Sequence, residues 1–126
     1  MNGYMISTRD APGLAARLLE ATAARGVNVF PAYGLADGQT GIILVGSDDE
    51  DGLRGAIADA GLQATAVEMV TTEIDNRPGT GAELFRKLAD AGVNLRAAVP
   101  VGMGENKVQL ALAADDAAAL RAALGG

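Results

Sequence analysis

The chain contains no cysteine, no histidine and no tryptophan. Without cysteine there is no disulfide framework, no thiolate nucleophile and no thiolate metal site. Without histidine it also lacks the commonest metal ligand and the commonest general base. Aromatic side chains are scarce: Tyr4, Phe30, Tyr33 and Phe85 are all there are, so the core must be built from Ala, Val and Leu at close backbone approach. Cations are the minority, 10 Lys and Arg against 16 Asp and Glu, and the net charge of −6 lacks the basic footprint of a nucleic-acid binder. No apolar run is much longer than Ile42-Ile43-Leu44-Val45, so no membrane-spanning segment is expected. The opening Met1-Asn2-Gly3-Tyr4 shows no basic region before an apolar run, and a cytoplasmic location is the expectation.

Catalysis would have to rest on carboxylates, Lys or Tyr, and no convergent pair emerges from the spacing. A non-enzymatic role is expected. The acidic run Ser47-Asp48-Asp49-Glu50-Asp51 lacks the glycine and the distal Glu of a calcium loop. Its acids suit the first turn of a helix instead. Gly79-Thr80-Gly81 and Gly102-Met103-Gly104 match neither phosphate-binding glycine pattern, so no cofactor and no metal is expected.

What is present is a repeat. Shifted by 66 positions, Pro12-Gly13 falls on Pro78-Gly79 and Gly26-Val27-Asn28 on Gly92-Val93-Asn94. Ala16, Leu18, Ala23, Ala32, Gly38, Leu44 and Asp49 meet identical residues at Ala82, Leu84, Ala89, Ala98, Gly104, Leu110 and Asp115. Two glycine-marked boundaries at one spacing indicate two copies of one supersecondary unit. Each half is near the lower size limit for folding alone, so the copies are expected to share a core or sheet.

In copy one, strand 4–8 precedes a helix opened by Pro12 and stopped by Gly26, with Leu14, Ala15, Leu18, Leu19 and Thr22 at helical spacing. Residues 27–35 read as a strand that Pro31 confines to an edge or a bulge. Asp37-Gly38 signals a hairpin into strand 40–45. Asp48 or Asp49 caps a second helix that ends at Gly61. Copy two repeats the order with strand 67–74, helix 79–91, strand 93–101, strand 107–113 and helix 116–124. Residues 62–75 contain no Gly or Pro, so the last strand of one copy should run directly into the first strand of the next. The expected fold class is α+β: two ferredoxin-like βαββαβ modules, 1–66 and 67–126, each an antiparallel sheet with its helices on one face. Copy two has no residues left for its last strand, and the resulting open edge suggests self-association as a dimer.

Both copies place an Asx before Pro-Gly at the first helix entry, Asp10 with Gly13 and Asn76 with Gly79, and an Asn at the start of the second strand, Asn28 and Asn94. A helix N-terminus offers unpaired N–H groups to a small carboxylate. The same Asx residues equally suit helix caps, and the two Asn residues suit turns.

The pattern Asx-x-Pro-Gly, helix, Gly-Val-Asn and hairpin resembles the ACT domain, an amino-acid-binding regulatory module of biosynthetic enzymes. Residues 75–79 with 92–98 are similar to the serine-sensing module of phosphoglycerate dehydrogenases, except that Ile74 stands where that pattern has His. Residues 9–13 with 26–29 are similar to aspartokinase regulatory modules. The resemblance spans nearly the whole chain in tandem. It implies an amino-acid ligand between paired modules, held by Asp10, Gly13 and Asn28 in copy one and by Asn76, Gly79 and Asn94 in copy two. With no catalytic domain in the chain, it also implies allosteric control of a separate biosynthetic enzyme. The alternative is a protein-interaction or oligomerisation module with no small ligand.

Overall fold

A computed structural model describes residues 1–9 and 11–125. The chain divides into two compact units, Met1–Val67 and Glu68–Gly126. The first contains β1 (Asn2–Arg9), α1 (Leu14–Ala24), β2 (Ala32–Asp37), β3 (Thr40–Gly46), α2 (Glu50–Asp59) and β4 (Thr65–Glu68), whose last residue opens the second unit. The remainder of the second consists of β5 (Val70–Asp75), α3 (Thr80–Asp90), β6 (Leu95–Met103), β7 (Lys107–Ala114) and α4 (Ala117–Gly125). The sheet orders are β2-β3-β1-β4 and β5-β7-β6. The first is the complete ferredoxin-like arrangement, and the second is the same arrangement lacking its fourth strand. Among the described residues no helix is long and apolar enough to cross a membrane.

The period of the apolar residues explains the packing. Leu14, Leu18 and Thr22 form the buried stripe of α1, and Thr80, Leu84 and Leu88 the corresponding stripe of α3, at i, i+4 and i+8. The buried Thr22 hydroxyl donates to the Leu19 carbonyl at 2.7 Å, so the stripe carries no unsatisfied polar atom there. Alternate residues of the strands, Tyr4 and Ile6 on β1 with Ile43 and Val45 on β3, meet Leu18, Leu53 and Ile57 from the helices. In the second unit Leu84, Leu88, Leu112, Ala114 and Leu120 form the smaller core.

Three sequence expectations need correction. The strand expected over 27–35 begins only at Ala32, because Val27 turns straight into the core after α1 and Pro31 has no N–H to give a ladder. The Phe30 N–H still donates to the Gly46 carbonyl, and the Gly46 N–H to the Pro31 carbonyl. In copy two the strand likewise starts later than expected, at Leu95, so Asn28 and Asn94 both precede their strands. Finally, the copies do not share a sheet: the two strands within 62–75 follow one another with Met69 alone between them, and they belong to two different sheets.

The offset between the copies is not constant. Ala32 pairs with Val45 and Ala98 with Leu112, and the ladder slips between Pro100 and Gly102, where one extra residue bulges out. Beyond that point equivalent residues lie 67 apart. Asp116, not Asp115, therefore matches Asp49: Asp49 accepts from the Gly52 N–H at 2.9 Å and Asp116 from the Ala119 N–H at 3.0 Å. Leu53 and Leu120, also 67 apart, are both 0% exposed.

Gly52 and Gly55 lie on α2, where Gly→Ala ordinarily stabilises by about 1 kcal/mol. At Gly52 the added methyl would stand 2.7 Å from Val27 Cγ2 and closer still to the capping Asp49 carboxylate. Val27 is buried and β-branched, so it cannot rotate away cheaply. Gly52→Ala should lose about 1–3 kcal/mol. Gly55→Ala meets only the Arg25 guanidinium at 2.5 Å, the exposed end of a flexible side chain whose displacement costs at most its surface ion pair with Asp59, and should be about neutral. Thermal denaturation of the two variants checks the contrast, and a Gly52→Ala protein more stable than its parent would refute it.

Candidate ligand-binding site

The site is best read from how the four helices begin. α2 and α4 are capped by the side chains of Asp49 and Asp116. α1 and α3 are entered through Gly13 (φ 83°) and Gly79 (φ 93°), and among the described residues neither entry has a side-chain cap. The duplicated Pro-Gly is therefore a left-handed step into a helix whose N-cap residue, a glycine, supplies no side-chain acceptor to the first N–H groups. A Cβ at Gly13 or Gly79 would touch nothing within 4 Å, so backbone conformation, not crowding, requires glycine there.

The first entry opens onto a groove of about 410 Å³ between the start of α1 (Ala11, Gly13, Ala15) and the hairpin residues Leu35 and Ile42. Asn28 does not line it. Asn28 is exposed and belongs to a separate depression of about 300 Å³ with Gly26, Phe30, Ser47 and Asp49. The Ser47 hydroxyl there donates to the Asn28 carbonyl at 2.6 Å and accepts from the Asp49 N–H at 3.1 Å. Gly13 and Asn28 thus face different concavities. Asp10 lies outside the described residues.

In the second unit the Asn76 side chain does not cap the helix, and its amide nitrogen is already engaged. Its side-chain amide donates to the carbonyls of Gly104 and Glu105 at 3.0 and 3.4 Å, and its N–H donates to the Asn106 carbonyl at 2.9 Å. It ties the helix entry to the β6–β7 turn. The hydroxyl of buried Thr80 fastens the same loop by donating to the Asp75 and Arg77 carbonyls at 2.7 and 3.1 Å. Gly79 and Asn94 are exposed, and neither lines the groove of about 360 Å³ beside α3.

That groove is charged, a property that periodicity did not reveal. Asp75, Arg77, Glu83 and Lys87 line it. Arg77 lies 3.8 Å from Asp75 and 3.6 Å from Glu83, and Lys107 pairs with Asp75 from the facing strand. The hydrogen bond from Lys107 holds the Asp75 carboxyl below its ordinary range, and the same bond raises the lysine. A comparison of charge at equivalent positions of the two copies would have exposed this cluster from sequence.

No protein-family model and no curated protein matches the chain. Among solved structures, protein BT0572 of Bacteroides thetaiotaomicron is similar with a TM-score of 0.81 and 17% identity, over 98% of this chain and 85% of that one. The regulatory subunit of aspartate kinase from Thermus flavus is similar at 0.65 and 22% identity, over 98% and 87%. The ligand-free regulatory subunit from Thermus thermophilus is similar at 0.63 and 22%, over 96% and 88%. What is shared is the fold, a tandem of ferredoxin-like modules.

Proposed function

We propose that this chain is a regulatory protein that binds a free amino acid and conveys its presence to a separate protein, working as a dimer. The observation that carries the reading is the duplicated left-handed glycine entry, with no side-chain cap among the described residues, on a fold shared with aspartate kinase regulatory subunits. Two helices in the same chain are capped by aspartates, so the uncapped pair is not a general property of the sequence. A ligand carboxylate would supply the missing acceptor, and differential affinity for two arrangements of the protein would carry the signal. The runner-up, a ligand-free interaction module, draws on β2, whose six residues are all exposed and include Leu35 at 72%.

A thermal-shift screen of the twenty amino acids separates the two. A ligand at a hundredfold excess over its Kd should add about 2.7 kcal/mol of stability. Asn28→Ala with Asn94→Ala, both exposed, should change ligand-free stability by no more than about 0.5 kcal/mol. If the two asparagines touch ligand, the same change abolishes the ligand-dependent shift. Asn76→Ala is unsuitable for this purpose because it also releases the hairpin. A screen in which no amino acid raises the melting temperature rejects the sensor reading.

A further inference from the structure

The sequence contains three Asx-Gly steps: Asn2-Gly3, Asp37-Gly38 and Asp51-Gly52. At such a step the main chain can attack its own side chain, because glycine has no Cβ to keep its nitrogen away from the preceding side-chain carbonyl carbon. The fold treats the three differently. Gly3 is buried in the β1–β3 ladder opposite Gly46. Asp51-Gly52 lies in the first turn of α2, where the Gly52 N–H donates to Asp49 at 2.9 Å and the Asp51 carboxylate pairs with Arg54. Attack there requires both groups to give up their partners and the helix to open.

Asp37-Gly38 is held by neither device. Asp37 is the exposed last residue of β2, and Gly38 (φ 62°) with Gln39 forms the two-residue turn that leads to Thr40. Among the described residues the Gly38 N–H has no acceptor and the Asp37 carboxylate no ion-pair partner. The backbone rotation that brings the Gly38 nitrogen to the side chain is resisted only by the terminal pair of the hairpin, Asp37 with Thr40.

We propose that Asp37 is a modification site, at which the chain converts aspartate to isoaspartate without an enzyme. The Gly38 nitrogen adds to the Asp37 side-chain carboxyl carbon and closes a five-membered succinimide. The carboxyl hydroxyl leaves as water, taking the proton of the Gly38 N–H. Water then opens the ring at either carbonyl. Opening at the side-chain carbonyl restores aspartate. Opening at the main-chain carbonyl routes the chain through the side chain and frees the main-chain carboxylate. One water is lost and one gained, so the mass is unchanged and no other reactant is needed. The product carries an extra methylene through a two-residue turn. The pairs Asp37–Thr40 and Ala36–Gly41 must give way, next to Leu35 and Ile42 in the wall of the first groove. The new carboxylate stands at an exposed loop tip, within reach of a modifying enzyme.

Prolonged incubation of the full chain at neutral pH and physiological temperature tests this. Isoaspartate is labelled by an enzyme that methylates isoaspartyl carboxylates, then located by digestion and mass spectrometry. It should accumulate at Asp37-Gly38 at least about tenfold faster than at Asp51-Gly52, since only the second must open a helix to react. In urea, where both N–H groups are free, the two steps should react within about twofold of each other. Asp37→Glu, whose ring would need six members, should remove the label from the hairpin and keep the parental circular dichroism spectrum. Equal rates at the two steps in the folded protein, faster reaction at Asp51-Gly52, or a hairpin that stays unmodified while the unfolded chain reacts would each overturn the assignment.

Discussion

Leu53→Ala and Leu120→Ala should each cost about 2–5 kcal/mol, the range for deleting a fully buried leucine and leaving a cavity. Both side chains are 0% exposed and occupy equivalent places in the second helices of their units. A unit of about sixty residues has only about 3–9 kcal/mol of stability in total, so either change removes much of it. The damage should be greater at Leu120. Among the described residues the buried cluster around it is smaller than the first unit's, and its sheet has three strands where the other has four. Urea denaturation followed by circular dichroism measures both losses. A loss below about 1 kcal/mol at Leu120 would mean that the second unit does not depend on the core described for it.

Gly13→Val and Gly79→Val form the second large effect. Both positions are left-handed, and a β-branched residue there is strained by about 1–3 kcal/mol even though the space around it is empty. Gly81→Ala is the control. Gly81 lies within α3, has no positive φ and nothing near its missing Cβ, so alanine should stabilise by about 1 kcal/mol through helix propensity. Opposite signs for Gly79→Val and Gly81→Ala, two residues apart, would separate conformational demand from packing. Equal and small effects at both would show that the entry turn relaxes to another conformation.

Much of the architecture was legible because its causes are local. Leu14, Ala15, Leu18, Leu19 and Thr22 announce a helix through their spacing, of which Leu14, Leu18 and Thr22 are the buried face, and of the two candidate caps Asp48 and Asp49 it is Asp49 that accepts from an N–H three residues on. Asp37-Gly38 announced the hairpin in the same way, and Gly38 has a φ of 62°. The failures came where one residue changed the count. The bulge at Pro100–Gly102 shifts every later equivalence, so Asp115 appeared to match Asp49 when Asp116 does the capping. Pro100 and Gly102 are local signals that a bulge is allowed there, but whether an extra residue is inserted, and so how the later equivalences shift, is set by the ladder on the neighbouring strand.

The candidate site was legible only in part. Pro-Gly located both helix entries, but Asn76 spends its amide on a turn 28 residues away, a partner that no spacing rule names. Asn28 follows the same Gly-Val step as Asn94 and sits in a depression separate from that of Gly13. Glycines at 13 and 79, helix periods, the repeat and the antiparallel α+β class followed from the sequence by itself, because backbone sterics and apolar spacing act over a few residues. Which residues share a groove, which acids pair with which cations and where the second copy slips by one were decided by the tertiary structure, because those outcomes depend on distances between strands and helices far apart in the chain.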